Sequence, residues 1–258
     1  MLILLPPSEG KTAPRRGAPL DLAGLDLPVL TRAREEVIEA LVECCRADPA
    51  KAAEILGVPK SQPELVDRNA DLLSSPTARA DRVYTGVLYE ALGAASLSTA
   101  AKTRAARRVK VTSSLFGLVG LAERIPAYRL SGDTALPQLG GVQAHWRRHL
   151  GPGVHEALGT GLLVDLRSGT YAAFWRAAEV AERTATVRVL HEIGGVRKVV
   201  SHFNKATKGR IVRALLESGA QPRTPAELAA VLTELGWRVE VGPATKNGTG
   251  LDVIVSEL

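Results

Sequence analysis

Leu2-Ile3-Leu4-Leu5-Pro6-Pro7-Ser8-Glu9-Gly10-Lys11-Thr12 is the stretch whose reading decides the fold. Four consecutive apolar residues describe a buried core strand, and the paired prolines end it. The strand runs straight into a short loop that carries a hydroxyl, a carboxylate and an amine. Such a loop at the end of a core strand is a candidate site, although Ser-Glu-Gly-Lys is also ordinary turn chemistry. Gly10-Lys11-Thr12 matches the tail of a phosphate-binding P-loop, but Leu5 stands where its first glycine belongs. Prolines also occupy the region where free amides would be needed, so the Walker reading is excluded.

The same plan recurs further along the chain. The strand Arg108 to Ser113 leads into Ser113-Ser114-Leu115-Phe116-Gly117, and Leu162 to Leu166 leads into Arg167-Ser168-Gly169-Thr170-Tyr171. Strands that end in hydroxyls and glycine mark where an open α/β sheet places its ligands. Between them, helical spacing is expected over Leu30 to Arg46, Pro49 to Leu56, Gln62 to Leu73 and Leu88 to Leu92. Lys102 to Arg108 is a basic run, most simply a solvated face. Thr186 to Glu192 and Lys198 to Phe203 read as paired strands around a Gly194-Gly195 turn, followed by a helix over Ile211 to Leu216. That reading puts Lys205, Lys208 and Arg210 near a helix N-terminus, where their charge opposes the dipole unless an anion binds. A helix over Pro225 to Leu235 precedes a closing hairpin whose arms alternate as Trp237, Val239, Val241 and Leu251, Val253, Val255.

The chain has 258 residues and is 45% hydrophobic, enough for a sizeable core, and no Pro-, Gly- or Ser-rich linker divides it. One domain over 1–258 is expected. Thirty-three Lys and Arg against 27 Asp and Glu give a net charge of +6, which favours phosphates or nucleic acid without demanding them. Cys44 and Cys45 are adjacent, so neither an ordinary disulfide nor metal-ligand spacing results, and a reducing cytoplasm fits. The opening apolar run is too short for a signal peptide or a membrane span. His145 and His149 are the only i, i+4 histidine pair on a helix. The residues between them offer no acidic base, so both are expected to face solvent or a neighbouring helix, with no metal and no other cofactor.

The opening strand with Pro7-Ser8 and Lys11, Tyr84-Thr85-Gly86, Ser114 to Leu118, Pro126-Ala127-Tyr128-Arg129-Leu130, Asp165 to Tyr171 and Lys205 to Arg210 occur in a characteristic order. In that order the chain resembles the YaaA family of bacterial peroxide-stress proteins from the first strand to the last hairpin. The family's first loop is usually Ser-Pro-Ala-Lys or close to it. Here Pro7-Ser8-Glu9-Gly10-Lys11 is one residue longer and adds a carboxylate. The resemblance implies a mixed α/β (α+β) fold with a mixed central sheet, flanking helices and a positively charged cleft. It also implies a helix-hairpin-helix-like element, DNA binding and a role in limiting iron-driven oxidative damage. The hairpin corresponds to Leu56 to Lys60, and the cleft residues to Lys11, Arg129, Lys205, Lys208 and Arg210.

Two functional readings follow. In one, a basic cleft grips DNA or nucleotide phosphates through Ser8, Lys11, Arg129, Arg167, Ser168, Lys205, Lys208 and Arg210. With aromatics at only 4%, backbone recognition is favoured over single-strand stacking. In the other, the cleft cleaves or transfers at the N-glycosidic bond of a nucleotide or nucleoside. Glu9 or Asp165 would then stabilise an oxocarbenium-like centre or act as base, and Lys11 would serve as acid or nucleophile. Tyr84, Thr85, Tyr128 and Tyr171 would line the cleft or pack on a base. The plain alternative is that Glu9 pairs with Lys11 and that Asp165 caps a turn.

Overall fold

A computed structural model describes residues 1–256, the side chains of Ser201 and His202 excepted. Its central eight-stranded sheet comprises β1 (Leu2–Leu5), β2 (Val109–Ser113), β3 (Gly117–Gly120), β4 (Leu163–Asp165), β5 (Thr184–Ile193), β6 (Val196–Lys198), β7 (Arg238–Thr245) and β8 (Gly248–Val255). The order is β7-β8-β5-β4-β1-β2-β3, with β6 paired to β5. β8, β5, β4, β1 and β2 are mutually parallel, and β7, β6 and β3 are added antiparallel. The result is a mixed α/β architecture.

β1 is interior to this sheet, with Ile3 opposite Val109 on one side and Val164 on the other. All four of its residues are buried. A parallel strand covered on both faces needs an unbroken apolar run, which explains why Leu2-Ile3-Leu4-Leu5 shows no alternation. Because β1, β2 and β4 are adjacent and parallel, their three polar carboxyl ends emerge at one edge of the sheet.

The main helices are α1 (Thr31–Ala47), α2 (Pro49–Ile55), α3 (Glu64–Ala70), α4 (Val87–Leu92), α5 (Thr99–Arg108), α6 (Val142–Leu158), α7 (Ser201–Ser218) and α8 (Pro225–Glu234). α1 buries Val37, Ile38, Leu41, Val42 and Cys45 along one stripe and packs on α3 and α6. Its buried Arg34 reaches the sheet, where Nε and Nη2 donate to the carbonyls of Phe116 and Leu118 at 3.0 and 2.9 Å. Trp146 on α6 donates to the Ser114 carbonyl at 2.7 Å and covers Gly117, whose φ of 69° no bulkier residue would adopt easily. These contacts hold the turn after β2 rigid.

The Gly194-Gly195 turn forms as expected, with both glycines at positive φ and Ile193 opposite Val196. The second arm differs from expectation. β6 ends at Lys198 and α7 begins at Ser201, so Lys198 to Phe203 is not a strand. Val199 and Val200 favour a strand locally, but Thr207, Ile211, Val212, Leu215 and Leu216 are buried at helical spacing, and tertiary packing wins. Gly209 has no Cβ, which lets α7 lie directly against the Leu88 carbonyl of α4. Lys205, Lys208 and Arg210 therefore sit within a helix of eighteen residues rather than ahead of one.

The Leu56 to Lys60 segment does join two helices, α2 and α3. Its Gly57 and Val58 amides donate to Glu54 and Ala53 carbonyls, closing α2 as a glycine C-cap, so those amides are not available to a phosphate.

Candidate active site

The loop after β1 is tied down by its own polar groups. The Ser8 hydroxyl donates to the Gly10 carbonyl at 2.6 Å and accepts the Thr85 amide at 3.1 Å. A bridge between Lys11 and Tyr84 and the bond from the Thr12 amide to the Val83 carbonyl fix the far side. Lys11 is thereby turned back under the loop. Its Nζ donates to the Ser8 carbonyl at 2.8 Å and approaches that of Glu9 at 3.4 Å.

Beneath the amine lies a phenol floor. Lys11 Nζ sits 4.2 Å from the Tyr128 ring centroid and 5.7 Å from that of Tyr84. The two hydroxyls share a 3.0 Å hydrogen bond, and Ser113 at the end of β2 bonds the Tyr128 hydroxyl at 2.8 Å. Tyr89 stacks on Tyr84 at 5.4 Å and donates to the Pro6 carbonyl at 2.7 Å. Burial raises the pKa of Tyr84, Tyr89, Tyr128 and Tyr171, so the phenols stay neutral and offer Lys11 no counter-charge. All four tyrosines of the chain gather here.

Burial, with the Arg129 guanidinium acting in the same direction and Glu9 opposing, lowers the Lys11 pKa to about 7. The amine is therefore divided between its charged and neutral forms near neutrality. Arg129 lies close by in a loose setting: Glu9 Oε2 is 3.8 Å from its Nη1, the Gly57 carbonyl is 3.4 Å from its Nη2, and its buried Nε has no hydrogen-bond partner among the described residues. Asn69 fixes the Arg129 main chain by bonding its amide and carbonyl at 2.9 and 2.7 Å.

Two cavities meet at the Glu9–Gly10 wall. The larger, about 610 Å³, is bordered by Ser8, Thr85, Tyr89, Ser131, Asp133, Ser168, Thr170, Tyr171 and Lys205. The smaller, about 450 Å³, is bordered by Lys11, Tyr128, Arg129, Arg68 and Glu64. Lys11, Arg68, Arg129 and Lys205 share the linings with Glu9, Glu64 and Asp133, so the pair is mixed in charge rather than uniformly basic.

The structure brings Ser8, Glu9, Lys11, Thr85, Tyr128, Arg129, Ser168, Tyr171 and Lys205 to this double cavity. Tyr84 forms the floor under Lys11 and is buried, so it does not present a face for stacking a base. Asp165 and Arg167 are placed differently. Arg167 Nε and Nη2 grip Asp165 at 2.9 and 2.7 Å, the Arg167 amide adds a third bond, and the guanidinium also reaches the Tyr171 and Trp175 carbonyls. Both residues are buried, and they border a separate hollow with Trp175 and Thr186. The pair closes the end of β4. Lys208 is set under the same strand end, where Nζ donates to the Leu166 carbonyl at 2.9 Å and burial lowers its pKa against the pull of Asp165. Arg210 is exposed on α7 and borders neither cavity.

Tyr89, Ser131 and Asp133 border the larger cavity and carry no expectation from sequence, whereas Thr170 reaches it from the expected polar end of β4. A signal for Tyr89 existed: with only four tyrosines in the chain, a second one five residues after Tyr84 stands out.

A sequence profile described as "Peroxide stress protein YaaA" matches residues 1–241. A UPF0246 protein of Streptomyces coelicolor is 53% identical over 261 residues, covering all of both chains. A UPF0246 protein of Corynebacterium efficiens is 42% identical over 250 residues, covering 95% of this chain and 97% of the relative. An uncharacterized protein of Campylobacter jejuni is 26% identical over 210 residues, 81% of this chain and 82% of its own length. No helix among the described residues is long and apolar enough to cross a membrane.

Proposed function

The chain belongs to the YaaA peroxide stress protein family, a membership that suggests a peroxide stress-related role, and on that premise we propose that its double cavity binds a nucleotide or nucleoside on which Lys11 acts. The observation that carries this reading is the amine itself, buried over neutral phenols and held to a pKa of about 7. An ordinary solvated lysine is almost wholly protonated at neutral pH and is a poor base or nucleophile. Lys11 has a substantial neutral fraction and can take a proton or attack an electrophilic carbon.

The remaining groups fit such a ligand. Tyr89 and Tyr171 give the larger cavity apolar ring surface, and Ser8, Thr85, Ser131 and Thr170 supply hydroxyl contacts for a sugar. Arg129 on the smaller cavity and Lys205 on the larger are the cations for phosphate. Cleavage or transfer at an N-glycosidic bond is the concrete reaction, with exposed Glu9 as the carboxylate that faces positive charge developing at the sugar. Asp165 is left out of this role, since both its oxygens are held by Arg167. DNA-backbone binding is the second reading, favoured by the net charge of +6, but a lining that includes Glu9, Glu64 and Asp133 favours a compact ligand over a polyanion.

Incubation with a panel of nucleosides and nucleotides, with released base followed by chromatography, tests the reading. Turnover is expected to rise through pH 7 as Lys11 loses its proton, and to fall at least 100-fold in Lys11→Met. Absence of both turnover and calorimetric binding for every member would overturn it.

A further inference from the structure

Away from the double cavity, α1 and α6 bring three further ligand-type side chains together. Glu36 lies on α1, and His145 and His149 lie one turn apart on α6. One ligand atom from each falls within 4.8 Å of the others. The sequence shows only the histidine pair, because the carboxylate comes from a helix more than a hundred residues earlier.

The hydrogen bonding of His145 specifies which nitrogen is free. Its Nε2 lies 3.0 Å from the Ala33 carbonyl, which can only accept, so Nε2 carries the proton and Nδ1 presents a bare lone pair. That lone pair faces Glu36 Oε2 at 3.9 Å, one acceptor toward another. The His149 ring lies 4.7 Å from the His145 ring. A bare imidazole nitrogen facing a carboxylate oxygen, with a second imidazole alongside, is a donor set suited to a cation. Moreover, a histidine whose outer N–H is anchored on a backbone carbonyl is the usual arrangement of a metal-ligating imidazole. Arg32 holds the other carboxylate oxygen of Glu36 at 3.0 Å and leaves Oε2 directed at the gap.

We propose that Glu36, His145 and His149 form a binding site for a divalent first-row transition metal, with zinc-like preference for two imidazoles and one carboxylate. His145 is buried, whereas Glu36 and His149 are each half-buried. The buried ligand is preset, and the other two close on the ion by roughly 1 Å to reach the ligand spacing of a tetrahedral centre. Three protein ligands would leave the fourth position of a tetrahedral centre to water or another small ligand. Such an ion would clip α1 to α6, the helix whose Trp146 secures the turn after β2. Two nitrogens and one oxygen suit Zn²⁺ or Co²⁺ better than Mg²⁺ or Ca²⁺, which prefer all-oxygen shells.

The test is titration of chelator-stripped protein with Co²⁺, read by visible d–d absorption, alongside Zn²⁺ calorimetry and thermal unfolding. One equivalent is expected to bind wild type, with tetrahedral-type absorption and a raised Tm. Glu36→Gln and His149→Gln, both at half-buried positions that the fold tolerates, are expected to weaken binding at least tenfold and to abolish the Tm shift. His145→Gln serves as a third variant, although it also removes the bond to Ala33. If Co²⁺ and Zn²⁺ produce neither absorption nor heat, or if both half-buried variants bind as wild type does, His145 is a packing residue only and the proposal fails.

Discussion

β1 and β4 lie side by side and parallel, with Leu4 opposite Asp165, and each runs into a tail of charged and hydroxylated residues. Behind β4, Asp165 and Arg167 form a buried, doubly bonded pair, and the Tyr171 and Trp175 carbonyls accept further guanidinium N–H groups. Behind β1, Lys11 has carbonyls and ring faces but no ion-paired carboxylate among the described residues, where Arg129 Nε is likewise unpartnered, and Glu9 is largely in water. Similar composition at the same edge of one sheet therefore yields a closed structural plug and an open cavity. What separates them is whether each charge finds its partner inside the loop.

The sharpest way to break this contrast is to unpair the plug. Asp165→Ala would leave a buried guanidinium uncompensated, and denaturant unfolding should show a loss of about 3–5 kcal/mol. A loss below about 1 kcal/mol would mean that the β4 end is not the structural element described here.

The next effect is a pH dependence on the open side. Lys11 has a folded pKa near 7 and an unfolded one near 10.5, so between those values the unfolded chain binds more protons. The resulting penalty on the native state is full below pH 7 and is relieved as pH rises. Stability of wild type minus that of Lys11→Met should thus increase by about 3–4 kcal/mol between pH 7 and pH 10. A flat difference would place the amine in water. Tyr128→Phe removes one hydroxyl that bridges Tyr84 and Ser113 and should cost about 1–2 kcal/mol by the same unfolding measurement. Smallest of all is Lys205→Ala: an exposed helix position predicts a change within about 0.5 kcal/mol, while binding of a phosphorylated ligand weakens.

Legibility in the sequence followed range. Apolar runs that end in glycine and hydroxyls are local signals, and they located β1, β2 and β4, the closing hairpin and most helices within a few residues. The same locality misplaced the start of α7, where Val199-Val200 advertises a strand that the buried face from Thr207 to Leu216 overrules. At the site, Lys11, Glu9 and Arg129 were legible through the loop composition and the family pattern. The depressed amine was not, because its cause is the convergence of Tyr84 and Tyr128 from segments far apart in the chain. Asp165 and Arg167 stand two residues apart, yet no spacing rule tells a mutually neutralising pair from two residues that each face a ligand.

The interior position of β1 has a kinetic consequence. Its partners are distant, with Ile3 opposite Val109 and Leu2 opposite Leu163. At translation rates of about 5–20 residues per second, this segment waits on the order of 10–30 s on the ribosome before both neighbours exist. For that interval an apolar tetrapeptide meant for the middle of a sheet lacks one or both of its neighbours. This topology predicts slow refolding after dilution from denaturant, whatever the stability of the finished core.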